Sequence, residues 1–129
     1  MSWKQSEGKE FAPIVHIEDA EEVVASVVEV REDVGPMGSA VVDMVTLLGT
    51  SFSLPGHAIL VDKIGEQLTE EVRVCHIHRD GMVGRAVWYN VMFWTGDLGA
   101  FQKSTEGKIQ ITGTEKLITA KIEALPPRD

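Results

Sequence analysis

The most chemically distinctive run in this sequence is Cys75-His76-Ile77-His78, because neutral imidazoles are common ligands of zinc and iron. On a strand, His76 and His78 share one face and Cys75 points to the opposite face. The run is therefore not a three-ligand chelate, and no spacing elsewhere in the chain supplies the missing ligands. We expect surface or packing roles for these residues, with no bound metal and no cofactor.

Nucleophilic catalysis has no better support. Cys75 and His76 are neighbours on a strand, and neighbouring strand side chains diverge, so they do not form a nucleophile and base pair. The sequence contains no GxSxG elbow and neither of the glycine-rich phosphate loops GxxxxGK[ST] and GxGxxG. We therefore predict a protein that is not an enzyme.

The aromatic run RAVWYNVMFWT, residues 85–95, is a better candidate for binding. Trp88 and Trp94 have the same strand parity, and Tyr89 has the opposite parity, so one set faces a core and the other is open to a ligand. Exposed flat rings stack on the bases of single-stranded nucleic acid, and cations hold its backbone. A buried stripe is the alternative interpretation. The predicted nucleic-acid-binding residues are Phe52, Arg73, Arg79, Arg85, Trp88 and Tyr89.

The elements that must position these residues follow from apolar patterning and turn signals. Residues 21–32 are rich in valine and favour a strand, with a helix capped by Asp19 as the alternative. Gly35, Pro36 and Gly38 predict a hairpin turn after it. The remaining prediction is strands over 39–48 and 51–54, a helix over 55–68, a hairpin around 80–84, and two short C-terminal strands over 108–114 and 116–125.

The predicted elements therefore come in the order three strands, one helix and two strands. This is the element order of the OB-fold, a five-stranded Greek-key barrel. The predicted fold is all-β with one short helix: an OB-type five-stranded Greek-key barrel with a C-terminal β extension. We predict one domain over residues 13–125, a polar N-terminal arm over 1–12 and a C-terminal tail over 126–129. A different small barrel is the main alternative.

Residues 23–94 also resemble a known group in pattern: a VxEVRE strand, a glycine-containing turn, a helix with ILVDKI and an EEVRV strand. This pattern is similar to that of bacteriophage-encoded OB-fold proteins that bind single-stranded DNA. The resemblance implies a cytoplasmic accessory of replication or recombination, in the host cytoplasm if the protein is viral. The chain ends in LPPRD, whereas proteins of that kind often end in an acidic tail that recruits partners.

Charge opposes nucleic-acid binding overall and permits it locally. The net charge is -8, but residues 72–129 hold eight basic and six acidic groups, so only this half can present a basic face. No apolar run approaches the roughly 18 residues of a membrane span, and the first ten residues are too polar for a secretory signal. A single cysteine fits a reducing compartment.

Two binding functions follow. The first is a non-catalytic protein that binds single-stranded DNA between the turns at 33–38 and 80–84, because the corresponding loops flank the ligand face in OB-folds. The second is an acidic interaction module that binds or inhibits a host protein. No membrane partner is expected, and the sequence leaves a homo-oligomer open.

Overall fold

The computed structural model describes residues 12–34 and 39–126, with the backbone alone for residues 33, 34 and 39. Most of the predicted arm, 1–12, most of the predicted tail, 126–129, and the tip of the predicted turn at 33–38 lie outside the described residues. The elements, in chain order, are β1 (Glu22–Val34), β2 (Ser39–Thr46), β3 (Ser51–Pro55), α1 (Ala58–Gln67), β4 (Val74–Val83), β5 (Ala86–Phe93), α2 (Leu98–Lys103) and α3 (Thr105–Glu123).

The five strands form one antiparallel sheet with the order β3-β2-β1-β4-β5. The structure confirms the first three strands, the helix that follows them and the antiparallel pairing across 35–38. Strand β1 occupies the centre because it pairs with β2 on one side and with β4 on the other. The sheet and its helices are consistent with a barrel-like β fold.

The two edge strands are covered by other parts of the chain. Along β5, Lys63 Nζ of α1 donates to the Tyr89 carbonyl at 2.7 Å and Gln67 Nε2 donates to the Val91 carbonyl at 3.3 Å. Along β3, the Val15 N–H donates to the Ser53 carbonyl at 2.9 Å. These contacts satisfy edge groups that would otherwise be open to another strand. Among the described residues, β3 and β5 do not pair with each other.

The β4–β5 hairpin is tighter than predicted. The predicted antiparallel pairing across residues 80–84 is confirmed, but Val83 pairs with Ala86, so the turn consists of Gly84 and Arg85 instead of residues 80–84. Asp80 and Gly81 belong to β4, beside a register shift between Arg79 and Met82. Gly84 has a φ of 63°, the left-handed conformation that two-residue hairpin turns require.

The predicted C-terminal β extension is also wrong, because this part of the chain is helical. Isoleucine and threonine, which favour strands, are frequent in α3, but its buried residues follow a helical spacing of four, three and four positions. These residues are Gly107, Ile111, Thr114 and Ile118. Ser104 caps the helix, since its hydroxyl accepts the Gly107 N–H at 2.9 Å.

The core lies between one face of the sheet and the helices. Phe52, Leu60, Ile64, Ile77 and Ile118 are all fully buried, and they come from β3, α1, β4 and α3. Helix α3 is therefore part of the folded core rather than an appendage to it.

A polar network also joins α3 to the turn between β2 and β3. Glu115 accepts a hydrogen bond from the Thr46 hydroxyl at 2.6 Å and another from the Thr50 hydroxyl. The bonds from Thr46 and then Thr50 lower the pKa of Glu115 below its usual value of 4.5, against an opposing effect of burial. The charged carboxylate therefore stabilises the folded chain.

We expect Glu115→Gln to lower the free energy of unfolding at pH 7 by about 1–2 kcal/mol, because hydrogen bonds to a charged group are lost. A lowered folded-state pKa means that the contribution is fully present above the unfolded-state pKa and is lost as pH falls through the folded-state pKa. Urea unfolding should therefore show a difference in stability between the two proteins at pH 7 that shrinks as the pH is lowered below the usual carboxyl pKa of 4.5. Glu123→Gln, at an exposed position of α3, is the control. An equal loss in both variants contradicts the role of the network.

Candidate functional site

The side chains of β5 alternate between the core and solvent. Tyr89 and Val91 are 2% and 6% exposed, whereas Trp88, Met92 and Trp94 are 41%, 56% and 39% exposed. Parity grouped the two tryptophans on one row and Tyr89 on the other, and the structure shows that the tryptophan row is the open one. An exposed row of this size on one strand is a candidate binding surface.

This row belongs to the outer face of the sheet, which we define by Val24, His76 and Met92. These residues are direct neighbours across β1, β4 and β5. Next to them, Glu22 pairs in register with His78. The Glu22 carboxylate forms a hydrogen bond with the Nε2 atom of His76. The row of Val24 thus has two apolar side chains, one on either side of His76, and the row of Glu22 is polar.

Phe52 and Tyr89 do not belong to the open surface, which corrects two of the predicted site residues. Phe52 is fully buried beside Met44, its neighbour across the β2–β3 pair. Tyr89 is buried too, and its hydroxyl lies 2.7 Å from the His57 Nδ1. Since a base needs an open ring face, neither side chain stacks on a ligand in this structure.

Burial shifts the pKa values of both His57 and Tyr89. Desolvation is the main cause that lowers the pKa of His57, with Arg79 adding to it, and desolvation also raises the pKa of Tyr89. Both shifts favour the neutral form of each side chain. The pair therefore acts as a neutral hydrogen-bonded contact between the start of α1 and β5.

The three predicted arginines have different surroundings. Arg73 donates to the backbone carbonyls of Val27, Val28 and Thr69. Arg79 donates to the Asp19 carboxylate at 2.9 Å and to the Ile17 carbonyl at 2.8 Å. Arg85 is exposed at the hairpin turn and has no hydrogen bond or ion pair within the described part of the chain. Of the three, Arg85 is the cation available to a ligand.

Sequence reasoning missed Lys63 as a member of this surface. Its Nζ lies 5.6 Å from the ring centroid of Trp88, within the range of a cation–π contact. The Lys63 contact links α1 to β5, two elements that are distant in sequence. Only the amphipathic spacing of α1, with Leu60 and Ile64 buried, could have indicated which side of that helix Lys63 occupies.

A cleft of about 310 Å³ opens beside the outer face, between the sheet and the two C-terminal helices. Its lining includes Val24, His76, Met92, Trp94, Phe101 and Glu106. Trp94 and Phe101 pack with a centroid distance of 4.8 Å and an interplanar angle of 41°. The sequence did not predict this cleft, because the C-terminal residues that close it were assigned to strands.

A second groove, of about 470 Å³, lies at the hairpin end of β5. His57 and Ile59 line it from the α1 side, and Val83, Arg85 and Val87 line it from the hairpin. The groove thus brings the start of α1 close to the hairpin turn that carries Arg85.

The buried thiol and the histidines offer little reactive chemistry. Burial raises the pKa of Cys75 to about 12, so the thiolate nucleophile is scarce at neutral pH. His76 and His78 each bond a carboxylate, from Glu22 and Asp80 respectively. Over residues 12–34 and 39–126, no three His, Cys, Asp or Glu side chains are grouped to hold a metal ion.

Comparisons of the chain with family models, with curated proteins and with solved structures gave no match. In the part of the chain that the structure describes, no helix combines the length and the apolar character needed to cross a membrane.

Proposed function

We propose that this chain binds single-stranded DNA without catalysing a reaction, through the exposed row of β5 and the turn at Gly84 and Arg85. The observation that carries the proposal is the exposed Trp88 with the Lys63 ammonium 5.6 Å from its ring centroid, on the same hairpin as the exposed Arg85. An open indole offers a stacking face, and the adjacent cations offer contacts to phosphate.

We take the five-stranded sheet to be an OB-type barrel, and its strand order supports the proposal. The sheet order is β3-β2-β1-β4-β5, and α1 connects β3 to β4. In OB-folds, the loop between the fourth and fifth strands flanks the ligand. Gly84 and Arg85 would form that loop here, as the pattern shared with phage single-strand-binding proteins also implies. We place the activity in the cytoplasm, where a reducing environment suits the free thiol of Cys75.

The acidic composition determines what kind of binding to expect. With a net charge of -8 and with Arg73 and Arg79 bonded within the protein, few cations remain for phosphates. Stacking must therefore supply most of the affinity, and the salt dependence should be shallow for a single-strand-binding protein.

A second candidate function is the binding of a protein partner by the same hairpin. Met82, Val83 and Met92 are 55%, 67% and 56% exposed, next to the two open tryptophans. Methionine and tryptophan are enriched in the cores of protein interfaces, where charged residues are depleted. This candidate predicts that the chain binds its protein partner equally well with and without oligonucleotides.

Titration of a labelled oligothymidylate by fluorescence anisotropy at two salt concentrations tests the proposal. Trp88→Ala should cost about 1–3 kcal/mol of binding free energy at either salt concentration, because stacking releases no counterions. Arg85→Ala should instead reduce the slope of log affinity against log salt by about 0.7, the value of one phosphate contact on a single strand.

Lys116→Ala is the control for charge, since Lys116 is exposed on α3 and is not part of the proposed surface. It should leave the slope unchanged. If the unmodified protein has no measurable affinity for single strands at about 50 mM salt, where electrostatic attraction is strong, the proposal fails and the protein-partner candidate replaces it.

A further inference from the structure

The floor of the cleft beside the outer face consists of two apolar side chains with an imidazole ring between them. Val24, His76 and Met92 are in register across three strands, and all three line the cleft. The tilted pair of Trp94 and Phe101 forms an aromatic wall. A floor and wall of this kind suit a planar ring, because dispersion and stacking both reward flat apolar contact.

The polar groups of the cleft are mainly hydrogen-bond acceptors. The Glu106 carboxylate lines it, beside the Gln110 amide at 3.4 Å. The His76 ring bonds Glu22 through Nε2, and its Nδ1 is buried with no hydrogen-bond partner among residues 12–34 and 39–126. When Nε2 donates to Glu22, a neutral imidazole keeps Nδ1 as an acceptor. A ligand that offers N–H donors would complement this set of groups.

Negative charge at the cleft excludes the phosphate group of a nucleotide from it. A phosphate placed beside Glu106, with Glu22 close by on the same face, would meet like charge in a partly desolvated space. A base carries no charge at neutral pH. If a nucleotide enters the cleft, its base therefore lies inside and its phosphates remain outside.

The cleft is continuous with the surface proposed to bind the strand. Met92 and Trp94 belong both to the exposed row of β5 and to the cleft lining. A strand that stacks along this row toward Trp94 reaches the cleft, where one unstacked base could enter. Single-stranded nucleic acid is often recognised in this way, by hydrogen bonds to the base edges of splayed nucleotides.

We propose that the cleft holds one unstacked base of the bound strand and that Glu106 makes it selective for guanine; this inference rests on the proposed single-strand binding. Guanine presents two adjacent donors, N1–H and the N2 amino group, and these match the two oxygens of one carboxylate. Thymine presents a single N–H donor. Inosine keeps N1–H but lacks the N2 amino group. A comparison of inosine with guanine therefore separates the contribution of N1–H from that of the N2 amino group.

The experiment measures the affinity of the unmodified protein for a 15-residue oligothymidylate and for versions with a central guanine, inosine, adenine or cytosine. The single guanine should raise affinity about tenfold, the value of one good bidentate contact, and inosine should give an intermediate rise. Glu106→Gln should reduce the guanine preference to less than about twofold while it retains the affinity for oligothymidylate.

Glu66→Gln removes the same charge from an exposed position of α1 outside the cleft, so it should keep the full guanine preference. Binding of all the oligonucleotides with equal affinity would overturn the cleft assignment and leave single-strand binding standing. Loss of the preference in both variants would also overturn it, because a general charge effect would then explain the result. A protein that binds none of the oligonucleotides overturns both proposals.

Discussion

Phe52→Ala should lower the free energy of unfolding by about 3–5 kcal/mol, the usual cost of removing a fully buried phenylalanine. Phe52 is completely buried on β3 and continues the row of Val27 and Met44 across the sheet. Phe52 belongs to the main cluster of buried side chains, so its removal costs the lost transfer free energy and leaves a cavity as well. Equilibrium unfolding in urea, followed by circular dichroism, measures the loss.

The matched comparison is Trp88→Ala, which removes a larger ring from an exposed position of the same sheet. Its loss of stability should be no more than about 1 kcal/mol, from the contact with Lys63 and some apolar area. The two substitutions thus have opposite signatures: Phe52→Ala affects folding, and Trp88→Ala affects ligand affinity. If Phe52→Ala is as stable as the unmodified protein but binds oligonucleotides less tightly, Phe52 belongs to the binding surface. That result would contradict its assignment to the core.

The sequence indicated the sheet well because its strands carry dense β-branched residues and are separated by glycine turns. The 13 residues of β1, EVVASVVEVREDV, show how strong that signal is. The C-terminal residues have a similar composition, yet they form α3. Composition is misleading there because Ile111, Thr114 and Ile118 are spaced for a helix. Asp97 and Ser104 are the residue types that cap helices, and they stand at the starts of α2 and α3.

The candidate site was predictable to the extent that strand parity determines it. Parity separated Trp88 and Trp94 from Tyr89, but it did not show which set was buried. For Phe52, no comparable argument identified the face. The arginines were less predictable still, because Asp19, which lies 60 residues before Arg79, decides whether that cation is free. Contacts of this range depend on the tertiary fold and leave no local pattern.

The same limit applies to the cleft, whose aromatic wall depends on a close approach between α2 and α3. A Cβ built on Gly107 would lie 1.8 Å from the Phe101 carbonyl oxygen and 2.9 Å from the Ser104 Oγ. The first of these is a backbone atom, so rotation of a side chain does not relieve the clash. Only glycine allows the two helices to meet as they do, and Phe101 reaches Trp94 because of it.

Gly107→Ala should therefore destabilise the protein by about 1–3 kcal/mol or more, the range for overpacking a buried position, and should displace Phe101 from Trp94. Gly113→Ala is the matched control, because Gly113 is an exposed residue of the same helix and a Cβ added to it would have no atom within 4 Å. It should stabilise the protein by about 0.5–1 kcal/mol, the preference of a helix interior for alanine over glycine. Thermal unfolding shows whether each substitution raises or lowers the stability of the protein. Tryptophan fluorescence should report the loss of the contact between Phe101 and Trp94 in Gly107→Ala and no such loss in Gly113→Ala. Two stabilised variants would mean that α2 and α3 do not approach at Gly107, and the aromatic wall of the cleft would have no structural basis.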